Sequence, residues 1–173
     1  MKSQRLLSLV IGMLVVFAVA SVSAQAPQPP QAAPPPPPAY GSPITLEQAK
    51  KVTAAAEAEA KKNNWNMVIT ILDSGGNLVI THRMDGAQFG SIEVAREKAY
   101  SAVAFRRPTK VFEDLVGQGG TNLRLLKLSG ASPLEGGIPI VADGKLIGAI
   151  GVSGATSQQD AQTARAGIEA LSK

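Results

Sequence analysis

The sequence has 173 residues, with 17 Lys or Arg, 13 Asp or Glu, one His and no Cys. That length carries a single domain, and the absence of thiols excludes disulfides, thiolate metal sites and a cysteine nucleophile. Lys2 and Arg5 supply half of the net charge of +4; the remaining excess is too small to mark a nucleic-acid surface, and the basic residues lack the interleaved aromatics on which single strands stack.

Lys2 and Arg5 precede an uncharged apolar run, Leu6 to Ala20, and Val22-Ser23-Ala24 then places small residues before a cleavage point. This is the layout of a secretory signal peptide over residues 1–24. The run is shorter than the roughly 20 apolar residues that cross a bilayer, so no stable membrane span is expected after cleavage, and the mature chain is expected to be secreted or periplasmic. No Cys follows the run, which excludes a lipoprotein anchor. Residues 25–42 read as a disordered linker: "APQPPQAAPPPPPAYGSP" holds 9 of the 12 prolines, and proline removes the amide donor that helices and central strands need. Such a stretch favours polyproline II.

The domain itself is expected over residues 43–173. Thr45-Leu46-Glu47-Gln48 reads as a capping box, and Leu46, Ala49, Val52, Ala56 and Ala60 recur at helical spacing, predicting a helix over about 45–62 that Asn63-Asn64 end. "MVITILD" and "NLVITHR", separated by "SGG", predict a hairpin. A second helix is expected over 91–105, beginning at Ser91 and stopped before Pro108. It is rich in Ala95, Ala99, Ser101, Ala102 and Ala104, so it admits a surface at close range: the sheet, another subunit or a flat ligand. Thr109 is placed to cap a short third helix through Leu115, broken by Gly117 to Gly120. A further strand is expected near 125–129. "IPIVADGKLIGAIGVSG" predicts a second hairpin turning at Asp143-Gly144, and Gly148 and Gly151 inside its second strand mark a bulge or a close backbone approach. Thr156 and Ser157 open the last helix, with Ser157 and Asp160 as its expected cap pair. The order is α+β, an antiparallel sheet covered by helices, because tight hairpins demand antiparallel pairing.

Few residues carry chemistry. His82, the lone histidine, ends a strand; it is a candidate metal ligand or base, or an exposed or hydrogen-bonded strand-end residue. Gly75-Gly76 and Gly117-Gln118-Gly119-Gly120 lack the Gly-Lys-Ser/Thr of a phosphate loop. Asp73, Asp85 and Glu135 show no acid–base pairing, and Ser91 and Ser153 lack a nucleophile elbow. Arg106 and Arg107 stand out. With Lys110, Arg124 and Lys127 they face only Glu113 and Asp114 along an apolar stretch. Arginine grips carboxylates in pairs and never loses its charge. An apolar surface edged by arginines suits a flat dicarboxylate; a solvated charged loop is the other reading.

"ITLEQAKKV", "DSGGNLV", "HRMDGAQFGSIEVAREKAYSAVAFRRPT", the stretch from "GGIPIV" to "GAIGVSGAT" and "QQDAQTARAGIEAL" together resemble the GlcG/HbpS-like haem-binding family across nearly all of residues 44–172. The resemblance implies a central antiparallel sheet of about five strands with flanking helices in a profilin-like layering. It also implies a homo-oligomer and haem held near subunit contacts, in sequestration or redox sensing. Carried onto this sequence, it makes Thr109 the axial iron ligand. His82, of the conventional ligand type, is the second candidate, and Arg106 and Arg107 are the expected propionate contacts. A binding protein is expected more than an enzyme. The alternative is a binder or enzyme for a small hydroxy acid that uses the same arginines, in keeping with family members from glycolate-utilisation gene clusters.

Overall fold

The structure, a computed structural model, describes residues 35–172. The expected signal segment and the first part of the proline-rich stretch lie outside the described residues. In chain order the elements are β1 (Ala39–Tyr40), α1 (Leu46–Lys62), β2 (Val68–Asp73), β3 (Leu78–Arg83), α2 (Ser91–Phe105), α3 (Lys110–Gly117), a 3-10 run (Gly120–Lys127), β4 (Gly137–Ala142), β5 (Lys145–Ser153) and α4 (Ser157–Glu169), with a last 3-10 turn at Ala170–Ser172.

β5 is the centre of the sheet. It pairs antiparallel with β4 along one edge and with β2 along the other, and β2 carries β3 outside it. The two expected hairpins are β2–β3 and β4–β5. The second turns through Asp143 (φ 50°) and Gly144 (φ 71°), the doubly left-handed turn that matches strand twist and favours Asp-Gly.

The fifth strand lies elsewhere than expected. Residues 125–129 continue into and out of the 3-10 run, which buries no side chain and reaches no sheet edge. Instead β1, inside the stretch read as linker, pairs parallel with Lys145 and Leu146 of β5, making the sheet mixed. Gly41 and Ile44 extend the pairing by donating to Leu146 O and Ile147 O, each at 2.8 Å. The Tyr40 hydroxyl donates to the carbonyls of Val103 (3.0 Å) and Ala104 (3.1 Å) at the end of α2. A strand two residues long at a sheet edge tolerates the prolines before it.

Alternation along β2 builds two cores. Ile69 and Ile71 face α1 and α4, joining Val52, Ala56, Ile150, Val152 and Ala164. Leu72 faces α2, with Ala99, Ala102, Val103, Leu146 and Ala149, and Val68 meets Ala95 on that same side. Helices on both faces explain why β5 is buried along almost its whole length.

The small residues of α2 admit the sheet. A Cβ on Gly151 would lie 2.0 Å from Ala95 O and 2.5 Å from Ala99 N, so the backbone of α2 rests on the backbone of β5. The Thr45–Gln48 capping box of α1 forms as expected. In α4 the box is Thr156–Gln159, not Ser157–Asp160. Asp160 is drawn away by a partner across the core.

Candidate functional site

The turn after α2 is made by Arg106, whose left-handed backbone (φ 53°) ends the helix with its N–H on Ala102 O. Its guanidinium lies 5.3 Å from the centre of the Tyr40 ring, and Nη1 donates to Pro38 O at 3.4 Å. Arg107 goes the other way. Its guanidinium sits 5.8 Å from the Phe112 ring centre, its Nε donates to Phe105 O at 3.1 Å, and Phe105 meets Phe112 edge-on at 5.2 Å. The two cations thus diverge onto separate aromatic rings instead of forming one clamp. Arg107 is exposed, while Arg106 is half-buried.

Thr109 heads α3, but its side chain does not cap that helix. It is 0% exposed. Its hydroxyl accepts from Gly137 N (2.9 Å) and donates to Gly137 O (3.4 Å), and its own N–H donates to Gly137 O (2.9 Å). The hydroxyl is therefore a peg between α3 and β4. An axial ligand needs a lone pair that iron can reach, and this one is inside the wall; that geometry counts against Thr109 as the iron ligand.

His82, on β3, is 39% exposed, with Nε2 3.5 Å from Glu57 Oε2 of α1. It shares a cavity of about 360 Å³ with Glu57, Lys61, Asn66, Arg83, Met84 and Asp85. Lys61, 2.7 Å from Glu57, holds the Glu57 carboxyl below its usual range; burial works against that, and His82 adds to it. A carboxylate on one ring nitrogen leaves the other to bind, which is how ligating histidines are oriented.

Three groups have partners or surroundings that the sequence reading did not give them. Lys98 is buried in α2 with its Nζ 2.7 Å from Asp160 Oδ2 and 3.0 Å from Val152 O. Burial pushes the Asp160 carboxyl up against the pull of Lys98, and Ala155 N donates to its Oδ1 at 3.1 Å. Glu135, 7% exposed, leads into β4. The signal for Lys98 was its place on the same helical stripe as Ala95 and Ala102; Asp160 was read as a helix cap and Glu135 as a carboxylate without a partner. Ser91 and Ser153, dismissed as nucleophiles, do meet, hydroxyl to hydroxyl at 3.1 Å, as a buried tie between α2 and β5.

Among the described residues no three His, Cys, Asp or Glu side chains cluster as a metal site, and no helix is long and apolar enough to cross a membrane. The fold and its sites define a three-layer α+β domain with small cavities at its helix–sheet margins. Residues 44–169 match the family model described as "Haem degrading protein HbpS-like". The chain is 42% identical to protein GlcG of Escherichia coli K12 over 110 residues, covering 64% of this chain and 81% of that protein. Among solved structures, HbpS superposes with a TM-score of 0.69 at 36% identity, covering 76% of this chain and 92% of HbpS. The PduOC:heme complex superposes at 0.68 and 31%, covering 74% and 94%. The chain belongs to the HbpS-like family of haem-degrading proteins.

Proposed function

We propose that this chain is an exported haem-binding protein in which His82 is the iron ligand. The observation that carries the reading is the likeness over three-quarters of the chain to a protein solved with haem bound. His82 suits the ligand role because its ring is exposed, oriented by Glu57 and set in a cavity. Arg83 lines that cavity and supplies a cation for a propionate, while Lys61 is held by Glu57. At about 360 Å³ the cavity stands at the small end of ligand pockets, about 300–1,000 Å³, so haem would enter by one edge. The remainder would be covered by a second copy of the chain. Export rests on residues 1–24, and the mass of the chain recovered outside the cytoplasm tests it: loss of 24 residues supports the reading, and a full-length cytoplasmic chain refutes it.

Haemin titration is the direct test. A Soret band that shifts and saturates at fixed stoichiometry is expected, abolished in His82→Ala and retained in Thr109→Val. A Glu57→Gln variant should weaken binding by about tenfold, the usual cost of losing the group that orients a ligating histidine. A spectrum no different from that of haemin with an unrelated basic protein would end the proposal. Loss of the band in Arg107→Ala, with His82→Ala unaffected, would move the haem to the side of Arg107, one of the propionate contacts expected from the sequence.

A further inference from the structure

Glu135 has a carboxylate without a full set of partners. Its Oε2 is buried with no hydrogen-bond partner among the described residues, and its Oε1 has only Arg165 Nη1 at 3.6 Å. Such a group is costly unless something donates to it. Glu135 lines a cavity of about 300 Å³ with Pro108, Lys110, Gly137, Ile138, Ala161 and Arg165. This cavity is distinct from the one beside His82.

Charge narrows the occupant. Lys110 is held by Asp114, so its cation is spent. Arg165 is more than half exposed and makes only the long contact to Glu135, leaving most of its donors free. Glu113 is also close, its Oε2 accepting from Glu135 N at 2.7 Å. Two cations against Glu113, Asp114 and Glu135 leave an excess of one negative charge around the cavity. Pro108, Ile138 and Ala161 give it an apolar side.

We propose that this cavity binds a small aliphatic α-amino acid, with its ammonium on Glu135 and its carboxylate on Arg165. Glu135 Oε1, whose one charged neighbour is Arg165 at 3.6 Å, lacks a close donor, and the excess negative charge favours a positive one. The exposed guanidinium takes a carboxylate in the paired geometry that arginine favours. The apolar wall receives a short side chain. The site would be independent of haem.

The experiment uses the full chain without haemin and four probes, L-alanine, L-lactate and propionate of nearly equal size and the smaller ethylamine, followed by calorimetry and by amide shifts in NMR spectra. L-Alanine is expected to bind tightest, with lactate weaker and propionate at least about tenfold weaker, because propionate leaves the buried carboxylate without a donor. Ethylamine tests the carboxylate half and should also lose at least about tenfold. Shifts should map to Gly137, Ile138 and Ala161. Arg165→Gln, at an exposed position, should stay folded and bind L-alanine at least about tenfold more weakly; Glu135→Gln should do the same with its circular dichroism unchanged. Propionate binding as tightly as L-alanine, affinities untouched in Arg165→Gln, or no binding by any probe would overturn the proposal. Lactate binding tighter than L-alanine would overturn the ammonium assignment.

Discussion

Removing Lys98 is the sharpest test of how the layers are joined. Its ammonium is 2% exposed and the Asp160 carboxylate 3%, so the pair ties α2 to α4 through the end of β5 with no water to screen it. In Lys98→Met the stem is replaced at similar volume, but Asp160 keeps only backbone donors, Ala155 N among them. Breaking a buried pair from one side costs about 3–5 kcal/mol, a large part of the ~5–15 kcal/mol that holds a domain together. Roughly 10 °C in Tm should go with it. The cost should depend on pH. Burial already raises the Asp160 carboxyl, and without Lys98 only the N–H groups of Ala155 and Gly154 oppose that push. A folded-state pKa above the unfolded value near ~3.9 means the native state holds the proton more tightly. The cost of Lys98→Met is therefore smallest below about pH 4 and grows as pH rises through the raised folded value. Replacing both residues, as Lys98→Met with Asp160→Leu, should recover most of the loss, short of about 1 kcal/mol for the stranded Ala155 N–H. Urea denaturation of the four proteins of the cycle at pH 4 and pH 7.5 measures all of this. A single-variant cost below about 1 kcal/mol at both pH values, the range of a surface pair, would refute the account.

Gly151→Ala should destabilise by about 1–3 kcal/mol or more, because its methyl meets the α2 backbone, which cannot step aside as a side chain can; a Tm equal to wild type would contradict the backbone contact. Thr109→Val keeps the shape but strands Gly137 N, so denaturant curves should show a loss of about 1–3 kcal/mol while the haemin spectrum stays unchanged. In the β2–β3 turn, burial raises the Asp73 carboxyl, but the N–H groups of Gly75, Gly76 and Asn77 and the Asn77 side chain outweigh it and hold it below its usual range. That stabilisation is present above the unfolded pKa near ~3.9 and lost as pH falls through the lower folded value. Thermal melts of wild type and Asp73→Asn should accordingly converge only below about pH 4, and convergence already at pH 6 would count against it.

Elements governed by local chemistry were legible in the sequence: the Thr45–Gln48 box, both hairpin turns and the glycines that let α2 down onto β5 all announce themselves within a few residues. The strand at Ala39–Tyr40 did not, because its reason lies a hundred residues away in Lys145 and Leu146, while proline next to it argued for a linker. Leu125, Leu126 and Leu128 misled for the opposite reason. They look strand-like, yet no sheet edge is within reach, and Gly119 and Gly120 turn the chain into a 3-10 run instead.

The candidate sites divide along the same line. Arg106 and Arg107 were conspicuous as adjacent charges, but neighbours in sequence that straddle a helix end need not point alike. The left-handed residue between helix and turn sends one guanidinium to Tyr40 and the next to Phe112. The charges that fold into close company are far apart in the chain: Lys98 with Asp160, Glu57 with His82, Glu135 with Arg165. Each pair bridges a helix and another element across a margin of the sheet. Spacing along the chain carries no trace of such pairs, since they are set by which helix faces which strand. A lysine on an alanine stripe is the nearest the sequence comes to declaring one, because a cation facing the core must find an anion there.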